Sequence, residues 1–177
     1  MKKPILVIID VQEKLFPVMN NKDNFFKNLK ILIKGFQLFG LPIILTEHVP
    51  ENLGSTIKDV KDLIPDIKPI IKSSFSCATN LEFSNQILQY DQSDGIVLAG
   101  IETHVCIYQT GNDLIQNGEH IEIVADAVSA RSGINHNVGL DRLKDNGCLM
   151  TTVEMLLFSI QEHANDHRFK DLIKLVK

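Results

Sequence analysis

The sequence predicts an α/β protein with a doubly wound, six-stranded parallel sheet and helices on both faces. Two observations carry that expectation. Short apolar runs rich in β-branched residues recur six times between turn residues, at 5–10, 42–46, 69–72, 95–100, 121–126 and 148–152. They are largely continuous rather than alternating with polar residues, the pattern of strands covered on both faces. The segments between several of them have helical spacing, and such alternation builds a parallel sheet through right-handed crossovers.

The first run, Ile5-Leu-Val-Ile-Ile9, follows two lysines and stops at Asp10, too short for the apolar region of a secretory signal. Phe25, Phe26, Leu29, Leu32, Ile33 and Phe36 then keep a helical period. The nearly apolar stretch 38–45 contains Gly40 and Pro42 and falls far below the ~20 residues that cross a bilayer. A long connection, 47–68, carries Ile57, Val60 and Ile64 at the spacing of a short helix after a Gly54 turn. Whether it is a lid or a plain surface excursion is open at this point. Thr79-Asn-Leu-Glu82 reads as a capping box that starts the helix after the third strand. Phe169, Leu172, Ile173 and Val176 form the apolar stripe of a C-terminal helix covering the core.

A chain of 177 residues, 44% hydrophobic, fits one domain over 1–177. A formal charge of −4 with scattered lysines argues against nucleic-acid and anionic-membrane partners. Cys77, Cys106 and Cys148 are widely spaced with no CxxC, which fits neither a disulfide framework nor a structural zinc site and points to a reducing, cytoplasmic setting. No GxGxxG or GxxxxGK[ST] phosphate loop occurs.

Open parallel sheets bind ligands outside the carboxyl ends of their strands. The reactive side chains expected there are Asp10, Lys72 and Asp126 at strand ends, and Cys106 just after the fourth strand. Cys106 falls in the first turn of a helix with Thr103 as N-cap. The helix dipole and a nearby lysine would lower its pKa toward the nucleophilic thiolate, whereas the bland reading is an inert buried thiol. Asp10 has the competing role of a turn or N-cap residue. Lys72 has that of a solvated lysine; if it shares the pocket instead, its replacement by methionine should raise the Cys106 pKa while changing stability little. His104, two residues before Cys106, raises a cysteine–histidine pair, but adjacency at a helix start does not bring the ring to the thiol. His163 and His167 are spaced to share a helical face without the zinc-protease glutamate after the first histidine. Cys148 reads as core packing and Cys77 as a loop residue near Lys72.

Val7-Ile-Ile-Asp10-Val-Gln12, Ile70-Ile-Lys72-Ser-Ser-Phe-Ser76, Gly100-Ile-Glu-Thr-His-Val-Cys106 and Asp126-Ala-Val-Ser-Ala-Arg131 together resemble the isochorismatase-like cysteine hydrolases, over about residues 4–160. The resemblance implies the strand order 3-2-1-4-5-6 and a catalytic triad of Asp10, Lys72 and Cys106. It also implies a cis peptide between Ile101 and Glu102, with the N–H groups of Glu102 and Cys106 facing an oxyanion. Nicotinamidases of the family carry an Asp-x-His-x-x-His-type metal site after the second strand. Here Thr46-Glu-His-Val-Pro-Glu-Asn-Leu-Gly54 offers only His48, so neither metal nor cofactor is expected. Isochorismatases proper cleave a vinyl ether and lack the cysteine. The signatures are most similar to the isochorismatase-domain-containing branch. Gln12, Phe16, His48, Phe75, Thr103 and His104 are the further residues expected around the pocket. The implied reaction is hydrolysis of a small-molecule amide by a homo-oligomer. A catalytically silent binding or redox-sensing module on the same fold is the alternative.

Overall fold

A computed structural model describes residues 2–90 and 94–177. Strands β1 (Ile5–Ile9), β2 (Ile43–His48), β3 (Ile70–Lys72), β4 (Ile96–Ile101), β5 (Ile121–Ser129) and β6 (Leu149–Thr151) form one sheet in the order β3-β2-β1-β4-β5-β6. All neighbouring strands are parallel. The helices are α1 (Lys22–Phe39), α2 (Pro50–Leu53), α3 (Lys58–Lys61), α4 (Leu81–Ile87), α5 (Tyr108–Gln116), α6 (Gly133–Asp145), α7 (Val153–Gln161) and α8 (Phe169–Val176). None among the described residues is long and apolar enough to cross a membrane.

Successive side chains of β1 feed opposite layers. Leu6 and Ile8 pack with Phe25, Leu29 and Leu32 of α1, Leu157 of α7 and Leu172 of α8. Ile5, Val7 and Ile9 pack with Phe83 of α4, Leu114 of α5 and Leu143 of α6. Each fully buried Leu, Ile or Phe contributes about 1.5–3 kcal/mol of transfer free energy, so the central strands need no polar face. The edge strands differ, since Ile71 of β3 and Leu149 of β6 are half-exposed. Helix α1 stops where Gly40 turns left-handed and returns its N–H to the Phe36 and Gln37 carbonyls.

Several expectations are corrected. β5 runs to Ser129 because the β4 pairing shifts register between Leu98 and Gly100, adding residues that bulge around Asp126. Asp126 therefore does not end its strand at the sheet edge; its Oδ1 accepts the Val153 N–H at the start of α7. The cap of α4 is Asn80, which accepts the Phe83 N–H, while the Thr79 hydroxyl donates to the Ser76 carbonyl instead. His163 and His167 lie in the turn between α7 and α8, so they share no helical face.

The strand order reverses between β1 and β4, which places the crevice between their carboxyl ends. Gly100 lets the two strands close there: its φ is +120°, and a Cβ would lie 2.1 Å from the Ile9 carbonyl oxygen. Gly100→Ala is accordingly expected to cost more than about 3 kcal/mol, because neither backbone can yield without breaking the β1–β4 ladder. A urea midpoint close to that of the parent protein would refute this.

Candidate active site

Asp10 leaves β1 in the left-handed region, with φ 54°, which turns its carboxylate under the sheet edge. The side chain is fully buried, and each oxygen has a donor. The Thr46 hydroxyl donates to Oδ1 at 2.7 Å, and the Lys72 ammonium donates to Oδ2 at 2.6 Å. Lys72, the last residue of β3, reaches past β2 to make that pair with no solvent exposure at either side chain. Its Nζ also donates to the carbonyls of Ser74 and Phe75 at 3.2 and 3.1 Å. Three acceptors saturate an ammonium's three N–H groups. Burial pulls the lysine pKa down, but the neighbouring Asp10, Cys77 and Cys106 and the hydrogen bond to Asp10 outweigh it, so the pKa is raised. Lys72 is therefore not a solvated lysine, and the expectation that a methionine there would change stability little is corrected: it would strand a buried carboxylate.

Cys106 follows β4 in a single π-helical turn, Thr103–Ile107, whose wide i→i+5 bond runs from the Ile107 N–H to the Glu102 carbonyl. Such turns break helical register and frequently mark functional sites. Thr103 is not the N-cap: it is fully buried, with its hydroxyl 2.9 Å from His136 Nδ1. Cys106 is buried, close enough to Asp10 and Lys72 to feel both charges. Burial pushes its pKa up, the Asp10 charge adds to that, and Lys72 opposes both without overcoming them. The expected lowering of this pKa is thus corrected; burial and the Asp10 charge favour the thiol over the thiolate. Cys77, which the sequence left as a loop residue, is fully buried next to the same charges, and burial pushes it up to about 12. Its backbone N–H donates to the Thr110 hydroxyl at 2.9 Å. Cys148 packs in the core, pushed by burial to about 11.

Above Cys106 lies a cavity of about 360 Å³. Leu15, Val49, Leu53 and Val105 supply aliphatic wall, and His48 and Phe75 pack ring against ring at 5.3 Å to form the aromatic part. Glu102 completes the lining beside Cys106, and the peptide between Ile101 and Glu102 is cis. The Glu102 carboxylate accepts the Arg131 backbone N–H at 2.9 Å and is paired with the Arg131 Nε at 3.1 Å.

Of the residues expected around the pocket, His48 and Phe75 line this cavity. Gln12 lies beneath it, donating from Nε2 to the carbonyls of His48 and Gly54 and accepting the His48 N–H. Phe16 turns away to pack on Phe25 and Phe26, leaving Leu15 as the wall residue. His104 faces a separate surface recess with Tyr108 and Arg142. Of segment 47–68, residues 48–53 supply wall to the cavity, and they are hydrogen-bonded to the turn after β1. Beyond the Gln12 bonds, Glu47 Oε1 accepts the Thr56 N–H and hydroxyl, the Lys14 N–H donates to Leu53 O, and the Ile57 N–H donates to Val11 O.

Fold and site together define a doubly wound α/β protein whose switch point holds a buried carboxylate–ammonium pair beside a buried thiol. The chain belongs to the isochorismatase family: the isochorismatase domain model matches residues 4–155. It is 33% identical over 175 residues to isochorismatase domain-containing protein 2 of Danio rerio, covering 99% of this chain and 87% of that protein. Among solved structures it is similar to one titled as the MAR1 ribonuclease of Caenorhabditis elegans, with a TM-score of 0.90 and 28% identity over 99% of this chain and 90% of that one. The YcaC product of Escherichia coli, titled an octameric hydrolase of unknown specificity, shares the fold with a TM-score of 0.89 and 22% identity over 98% and 87% of the two chains.

Proposed function

We propose that this protein hydrolyses a small-molecule amide through a thioester on Cys106, with Asp10 carrying the proton and Lys72 holding the charge of Asp10 in place. The observation that carries this reading is that a fully buried Asp10–Lys72 pair, bonded at 2.6 Å, acts electrostatically on Cys106, which lines the cavity. As sulfur attacks the amide carbon, its proton passes to Asp10. The N–H groups of Glu102 and Cys106 face the resulting oxyanion. Asp10 then protonates the leaving nitrogen, the carbon–nitrogen bond breaks and the amine departs. Water attacks the thioester, giving its proton to Asp10; sulfur leaves and is reprotonated as the carboxylic acid is released. No step passes through a metal or cofactor.

The reaction named for the C. elegans neighbour is a different one, and the −4 charge with scattered lysines supports a small molecule over RNA here. We further infer one domain over 1–177, supported by burial of Leu172 in the main core, a homo-oligomer, supported by the octamer named for the E. coli neighbour, and a reducing, cytoplasmic setting, supported by the three free cysteines. The test is a panel of primary amides assayed for ammonia with parent protein and Cys106→Ala, alongside acid-quenched samples searched for an acyl mass on the Cys106 peptide. Ammonia release with an adduct supports the proposal. Release that survives Cys106→Ala, or none from any amide, overturns it.

A further inference from the structure

We propose that the cavity above Cys106 takes amides with an uncharged, apolar acyl group and rejects those whose acyl group ends in a carboxylate. This rests on the amide-hydrolase reading and adds the substrate class to it. The described residues lining the cavity include no lysine or arginine. Three cations bonded to residues of the lining are already engaged. Lys72 directs its three N–H groups to Asp10 and to the Ser74 and Phe75 carbonyls, and Lys14 donates to the Asn52 carbonyl. Arg131 is held on Glu102. The acidic residue in the lining is Glu102, whose carboxylate is held by Arg131, and Asp10 is held by Lys72, so neither offers a cation to an incoming anion.

An alkyl or aryl acyl group entering this cup exchanges water for Leu15, Val49, Leu53, Phe75 and Val105, which is favourable in proportion to the apolar area covered. A carboxylate at the same place loses its hydration with no cation left free to replace it, which is costly. His48 and Asn52 remain as polar positions on the wall, enough to orient a neutral group by hydrogen bonding. The charge preference therefore comes from what the wall is made of, whereas bond cleavage comes from the floor.

Butyramide and succinamate differ chiefly in a terminal carboxylate. Their ammonia release is compared at pH 8, above the ordinary imidazole range. The expected preference in kcat/KM is at least ~100-fold for butyramide, equivalent to about 2.7 kcal/mol. Phe75→Arg brings a cation to the wall at a side chain already 49% exposed, and should narrow that preference at least tenfold; Leu53→Arg is the second variant should the first not fold. A reading independent of turnover is the ratio of Cys106 labelling by iodoacetamide to that by iodoacetate, divided by the same ratio for glutathione. This ratio should exceed ten in the parent protein and fall in Phe75→Arg. Succinamate turned over within fivefold of butyramide, or a normalised labelling ratio near one, overturns the inference. Selective labelling without hydrolysis of any amide would leave the charge preference standing and defeat the hydrolase reading alone.

Discussion

Replacing Asp10 by asparagine is expected to slow amide turnover by ~10²–10⁴-fold while making Cys106 easier to alkylate. The two effects have opposite signs because the carboxylate does two things. It accepts the proton that must later reach the leaving nitrogen, and its charge holds the Cys106 pKa up. Without it, burial still raises that pKa and Lys72 still lowers it, so the balance moves down and more thiolate is present at any given pH. Rate constants for iodoacetamide labelling from pH 6 to 10 would show a lower midpoint than in the parent protein. A higher midpoint, or turnover left intact, would remove Asp10 from the proton path.

Lys72→Met should lower stability by about 3–5 kcal/mol at pH 7, the cost of leaving a buried carboxylate without its partner. It should also push the Cys106 pKa higher still, since the one charge that lowers it is gone. The pH dependence has a definite sign. The folded-state pKa of Lys72 lies above its ordinary value of ~10.4, so the pair's stabilisation is fully present below that value and is lost as pH rises through the folded one. The parent protein should therefore lose urea stability on the alkaline side, and Lys72→Met should lack that component. Pairing the change with Asp10→Asn should restore part of the loss, as a double-mutant cycle would register. Equal urea midpoints for Lys72→Met and the parent protein at pH 7 would contradict the buried pair.

The strands were legible because five of six runs carry almost unbroken apolar residues, and the positions of Asp10 and Lys72 followed from where those runs stop. The extension of β5 left no such mark. A bulge depends on the register against β4, and Asp126 has the same identity whether it ends a strand or swings out of one. Thr79 and Asn80 are both good caps, and a hydrogen bond to the Ser76 carbonyl decides between them. Which of Leu15 and Phe16 meets the cavity depends on the course of a short 3₁₀ turn, Phe16–Val18, and on the aromatic partners waiting on α1. The direction of the Cys106 pKa was misread for a physical reason: the positive neighbours are visible in sequence, while the depth of burial and the closeness of the Asp10 charge are not.

The ties that Gln12, Glu47 and Lys14 make to the connection after β2 put the cavity wall in place before any ligand arrives. Association then orders the ligand and little of the polypeptide, so the entropic cost falls on the small molecule alone. Calorimetry with a neutral amide on Cys106→Ala should consequently give a small negative heat-capacity change, scaling with the carbon surface of the ligand. The much larger change of a segment that folds around its guest should be absent. With no closure to wait for, the bimolecular rate constant should follow solvent viscosity as a simple diffusive encounter does.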